Sequence, residues 1–176
     1  MTVQISPTDK SRDTLRAELA DTQRTYHLLL DEIPEQTWEA PTLNPSWNVR
    51  QVMYHVMMAV RLMPQDVKMI RSGRFITPPA WLFNWLNIWI TRWGARRQSK
   101  KSLAQAYDDA HNTVVELLDS LTDDELTLTG NYPNLGGNLP GGERTIADVF
   151  HYMTLHFKEH EPDIRQTLTK FKEQTP

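Results

Sequence analysis

His156 and His160 stand four residues apart in a segment with helical periodicity, and His55 stands in a second such segment. Two histidines at i and i+4 share one helix face, one turn apart. Their imidazoles can converge on one ion. A third imidazole from a neighbouring helix would complete a three-nitrogen set with open positions for water or substrate. That is the ligand pattern of a catalytic metal rather than of a closed structural one. The same residues admit a plainer reading as buried or surface histidines, because His-x-x-x-His pairs also arise by chance.

Position along the helical period bears on that choice. Met153, His156, His160 and Ile164 follow one another at three and four, which places both imidazoles on the core-facing seam. A buried ring nitrogen without a partner costs about 1–3 kcal/mol. One shared ligand would satisfy both rings. His55 comes three after Val52 and one before Val56, at the edge of its own apolar stripe, where it can face a cleft or bond a carbonyl. His151 is five before His156, about 140° round the helix, and so faces elsewhere. His27 and His111 are lone histidines at stripe edges, read as packing or solvent-facing groups. Glu159 points about 100° away from His160 and is a weak candidate base.

Other chemistries find little support. The chain has no cysteine, which removes disulfides, thiolate ligands and cysteine nucleophiles. There is no phosphate-cradling glycine loop and no nucleophile-elbow motif. Glu159 and His160 are adjacent, so the Glu-x-x-His spacing of di-iron bundles is missing. A net charge of -3 gives no sign of nucleic-acid binding. The polar start MTVQISPTDK does not resemble a secretory signal, and no uncharged apolar run reaches membrane-spanning length. A cytoplasmic protein is the resulting expectation.

The elements that must position the histidines read as helices between proline- and glycine-rich breaks, in a single domain over residues 1–176. The first helix is predicted from about Thr8 to Asp31, capped at Thr8 or Asp9, with Leu15, Leu19, Thr22, Tyr26, Leu29, Leu30 and Ile33 inward. The second runs from about Val49 to Arg71, capped by Asn48 or Ser46, with Pro64 inside and Gly73 at its end. The third long helix covers about Ser99 to Leu121, with a short extra turn at Asp123 and Asp124. The sequence NYPNLGGNLPGG reads as a loop. The last helix starts at or just before Thr145, with Asp148 as an acidic capping-box partner, and should bend at Pro162 near His160. No segment reads as a convincing strand. Four long amphipathic segments predict an all-α, antiparallel four-helix bundle with a long crossover between its second and third helices.

That crossover carries an insert at about residues 78–94. Trp81, Trp85, Trp89 and Trp93 recur every four residues, and Arg96, Arg97, Lys100 and Lys101 follow. The plain expectation is a helix packed on the bundle or buried in a homodimer contact. The sharper one is a membrane-surface segment.

The run Trp47-Asn48 followed after six intervening residues by His55, and Thr145-Ile146-Ala147-Asp148-Val149 followed by His156 and His160, resemble the second and last helices of the DinB-like superfamily. The resemblance covers about residues 8 to 170, including helix order. It implies a four-helix bundle with a divalent metal, nickel or zinc, held by His55, His156 and His160. Relatives in that superfamily include metal-dependent thiol transferases and a mycothiol-dependent maleylpyruvate isomerase. The implied activity is that of a metal-dependent S-transferase or hydrolase acting on a small electrophile. A low-molecular-weight thiol would be the cosubstrate, its carboxylates received by Arg92, Arg96 or Arg97. The alternative is a non-enzymatic small-molecule-binding or stress-response protein using the same cleft. Pro162 and the apolar insert depart from the family pattern.

Overall fold

Each long helix begins where a short polar side chain takes up free backbone N–H groups. The structure, a computed structural model, describes residues 10–74, 80–133 and 141–174. Helix α1 (Arg12–Glu32) starts behind Ser11, whose hydroxyl accepts from the Thr14 amide. The expected cap at Thr8 or Asp9 falls outside the described residues, and the helix begins later. In α2 (Val49–Ser72) Asn48 and Gln51 form a reciprocal capping box, and Gly73 ends the helix with φ 63°, a left-handed turn that glycine adopts without strain. Ser99 and Ser102 do the same for α4 (Lys100–Ser120), as do Thr122 and Glu125 for the short α5 (Asp123–Leu126). Before α6 (Ile146–Gln174), Thr145 N–H donates to Asp148 Oδ2 at 2.8 Å and Asp148 N–H donates to Thr145 Oγ1 at 3.0 Å, the acidic box read from the sequence. Helices α2 and α6 run on through Pro64 and Pro162, so neither proline ends its helix.

The bundle is formed by α1, α2, α4 and α6. Both α1 and α2 pack against α4 and α6, which places α1 diagonally across from α2. Side-chain pairs give the directions. Arg12 reaches the Leu118 carbonyl and Asp123, and Lys100 reaches the Ile33 carbonyl, so α1 and α4 are antiparallel. The pairs Glu18–His151, Thr22–Thr154 and Glu32–Arg165 rise together, so α1 and α6 are parallel. Trp38 donates to the Gln98 carbonyl ahead of α2 and α4, while Arg71 and Glu125 pair at their far ends, so these two helices are also parallel. A parallel pair cannot be joined by a tight turn. The long connection holding α3 (Ala80–Ala95) is the crossover that this arrangement requires.

The core gathers Tyr26, Met53, Met57, Tyr107, Leu118 and Phe150, each under 2 % exposed or nearly so, with Tyr26 and Tyr107 stacked at 3.9 Å. The sequence announced neither a short 3-10 turn at Glu35–Thr37 nor a hairpin. Strand β1 (Thr129–Tyr132) pairs antiparallel with β2 (Gly142–Thr145), Thr129 opposite Thr145 and Tyr132 opposite Gly142. The ends of the predicted loop are therefore strand, while residues 134–140 lie outside the described part. TGNY and GERT lack both β-branched density and apolar alternation, so tertiary contact supplies what propensity does not. Tyr132 is the buried anchor, and its hydroxyl donates to Asp66 Oδ2 on α2 at 2.8 Å.

Burial pushes the Asp66 carboxyl up to about 6, against the opposing effect of the Tyr132 hydrogen bond. A raised carboxyl pKa favours folding fully below the ordinary range near about 4, and that contribution is lost as pH rises through about 6. Asp66→Asn should therefore gain in denaturant midpoint over the parent chain between pH 4 and 7, and parallel pH profiles would contradict this. Asn48→Ala should lower unfolding free energy by about 1 kcal/mol, measured by the same denaturant titration.

Candidate metal centre

The antiparallel contact of α2 with α6 brings the three histidines together. His55 lies nearly two turns into α2, and His156 and His160 lie on successive turns of α6. Their ring centroids form a near-equilateral triangle of 4.9 Å (His55–His156), 5.0 Å (His55–His160) and 4.8 Å (His156–His160). One nitrogen of each ring lies within 4.8 Å of the others. The His55 and His156 Nε2 atoms are 3.1 Å apart. Two nitrogens bound at the usual length of about 2.0–2.1 Å to a tetrahedral ion would be about 3.4 Å apart, so little movement is needed.

Electrostatics keeps the rings neutral. Burial, then the neighbouring His156 and His160, drive the His55 pKa well below its usual value, and a hydrogen bond with Asn87 acts the other way. Burial, then His160, brings His156 down to about 3. Burial also lowers His160, against the nearby Asp163 carboxylate. Neutral imidazole is the form that offers a lone pair to a metal.

Two side chains fix ring orientation. Tyr152, one turn before His156, holds its hydroxyl 3.3 Å from His156 Nδ1. Burial, then the Glu159 and Asp66 carboxylates, push this phenol up to about 12, so it stays protonated. When Nδ1–H is the donor to Tyr152 Oη, the Nε2 lone pair faces His55, and that is the tautomer a ligand requires. Asn87 of α3 plays the corresponding part for His55. Sequence reading missed both residues. Tyr152 could have been found from its i−4 spacing to His156, whereas Asn87 arrives only through the crossover.

Trp47 borders the same cluster, packing against His55 at 4.4 Å and His160 at 6.0 Å. Its Nε1–H is buried without an acceptor, one of two such side-chain atoms among the described residues, the other being Arg50 Nε. An acceptor carried by a bound ligand would satisfy it.

The triad lines one side of a cleft of about 360 Å³. Trp47, Met58, Leu62, Phe83 and Met153 supply apolar wall, and Asp66, Asn87, Tyr132, Tyr152 and Glu159 supply the polar groups. Glu159 therefore borders the cleft after all, at an exposed position. A larger open groove, about 670 Å³, lies elsewhere beside Lys10, Arg12, Asp123 and Asp148 and holds no histidine. Arg92, Arg96 and Arg97 do not line the histidine cleft. Arg92 instead donates to the Ser46 carbonyl from Nε and Nη2, because the outward face of α3 carries it away from the cleft mouth. The other histidines are engaged elsewhere: His27 with Asp108 at 2.6 Å, His151 with Glu18 at 2.7 Å, and His111 stacked on Tyr107.

Known proteins share this architecture. YfiT from Bacillus subtilis, described as a probable metal-dependent hydrolase with an unusual four-helix bundle topology, superposes with a TM-score of 0.73 at 15% identity, covering 98% of this chain and 94% of its own. An uncharacterized protein from Clostridium difficile 630 gives 0.66 at 17% identity, covering 98% of this chain and 100% of its own. A Streptococcus pneumoniae protein also gives 0.66 at 17% identity, covering 94% and 92%. At these identities the likeness establishes the fold. No curated protein matches the sequence. The family model of the DinB superfamily matches residues 18–161, and the chain belongs to that superfamily.

Proposed function

We propose that this protein is a divalent-metal-dependent enzyme acting on a small, largely apolar electrophile, as a hydrolase or as a thiol S-transferase. The observation that carries this reading is the convergence of three neutral imidazoles on the side of an apolar cleft that stays open to a small molecule. His55, His156 and His160 would hold the ion, zinc or nickel by ligand type. A bound divalent ion lowers the pKa of a coordinated water or thiol and polarises an electrophile's oxygen.

The chain's own residues do the rest. Tyr152 and Asn87 hold the His156 and His55 rings in ligating orientation. Trp47, Phe83 and Met153 exclude water from the apolar part of the substrate. The Glu159 carboxylate at the rim is placed to take up a proton released in the cleft. The chain has no cysteine, so a thiol nucleophile would enter as a cosubstrate. The YfiT description as a probable metal-dependent hydrolase supports the hydrolytic form. The apolar wall also suits a binding protein without catalysis; ligand capture that survives chelation and replacement of all three histidines would favour that reading.

Protein purified without a metal-affinity tag should carry about one divalent ion per chain, and His156→Ala should lose it. Elemental analysis showing no ion in the parent protein, or equal content in both, would overturn the proposal. Tyr152→Phe removes the partner of His156 Nδ1 and should weaken metal affinity by about 10–100-fold in a competitive chelator titration. Unchanged affinity would remove Tyr152 from the site.

A further inference from the structure

Helix α3 is apolar on both faces, with Phe83 at the cleft and Ile88 against the core on one side and its tryptophans on the other. Its inner face carries Asn87 at the histidine cleft, Thr91 at 2% exposure and Ala95 at 0%. Gly94 lies so close to α2 that an added Cβ would meet the Tyr54 hydroxyl at 2.2 Å. Its outer face carries Trp81, Trp85, Trp89 and Trp93, all 55–72% exposed, with Ile90 beside them at 44%. Successive tryptophans advance by about 40°, so the four span an arc of about 120°, and Arg92 falls inside it. Burying one face of a helix and leaving its larger aromatic face in water is a costly arrangement unless something covers that face.

Charge indicates what covers it. Between Arg74 and Tyr107 the sequence holds no aspartate or glutamate, but six cations: Arg74, Arg92, Arg96, Arg97, Lys100 and Lys101. The whole chain has a net charge of -3, so this local excess is set apart from the rest. Arg74, Arg92, Arg96 and Arg97 are exposed. Lys100 is met by Glu35, but a two-fold pairing of copies through α3 would bring the arginines against one another, with no acid in the segment to meet them. Indole rings favour the boundary between headgroups and acyl chains, and arginine favours anionic headgroups. At 16 residues α3 is about 24 Å long, and no described helix is long and apolar enough to cross a membrane. The helix would therefore lie in the surface plane.

We propose that the outer face of α3 docks this protein on an anionic lipid surface, with the tryptophan stripe in the interface and the arginines on the headgroups. This rests on the exposed face alone and stands apart from the metal reading.

The test is sedimentation of the full chain with vesicles of phosphatidylcholine alone or mixed with phosphatidylglycerol. Tryptophan emission is followed in parallel. Binding to the mixed vesicles at low salt, weakened by added salt and accompanied by a blue shift, is expected. Arg96→Gln with Arg97→Gln should weaken it about twenty-five-fold, at about fivefold per charge. Trp85→Ala with Trp89→Ala, at solvent-exposed positions, should weaken it by more than about tenfold. Circular dichroism melts matching the parent would confirm that the variants are folded. Failure of the parent protein to bind mixed vesicles at low salt would overturn the proposal. So would binding that the tryptophan replacements leave unchanged. A concentration-dependent dimer that buries the stripe without vesicle binding would also overturn it and assign the face to a second copy.

Discussion

Three uncharged imidazoles sharing one small volume are the constraint on which the rest of the structure turns. Their nitrogens face one another, His55 Nε2 and His156 Nε2 at 3.1 Å, and protonating the rings would bring like charges together in a poorly solvated place. His156 is held far below its ordinary pKa by burial and then by His160, which leaves it as a ligand or a hydrogen-bonding group rather than a cation. A divalent ion would engage all three rings with one atom. Trp47 packs on the same cluster, and its buried Nε1–H has no acceptor among the described residues.

The bundle topology serves that cluster. An antiparallel α2/α6 contact sets Trp47 beside His160 and His55 beside His156. Parallel α2/α4 packing then demands a long crossover, and the crossover delivers α3 across the cleft, where Asn87 meets His55 and Phe83 closes one wall. The hairpin pins the far end of the cleft to α2 through Tyr132 and Asp66. Each irregular piece between the helices thus contributes a side chain to one cavity.

Much of this was legible in the sequence because helical period and capping chemistry are local. Asn48, one of two cap candidates, and Thr145 with Asp148 mark the starts of the two histidine-bearing helices, and the apolar seam through Met153 and Ile164 places His156 and His160 inward. What escaped was non-local. The β1/β2 pair carries too few residues of strand character to show, and exists because Tyr132 is anchored on Asp66. The diagonal relation of α1 to α2 leaves no periodic trace. The orientation of α3 was hidden because the segment is apolar nearly all round. The burial of Thr91 and Ala95 and the exposure of the tryptophans show which face is turned out.

The central claim is that His55, His156 and His160 form one metal centre. X-ray absorption spectroscopy of the zinc-loaded protein measures that shell directly. The account predicts three imidazole nitrogens at about 2.0–2.1 Å, reduced to two by His55→Ala. A shell made of oxygens, or one unchanged by His55→Ala, would contradict it.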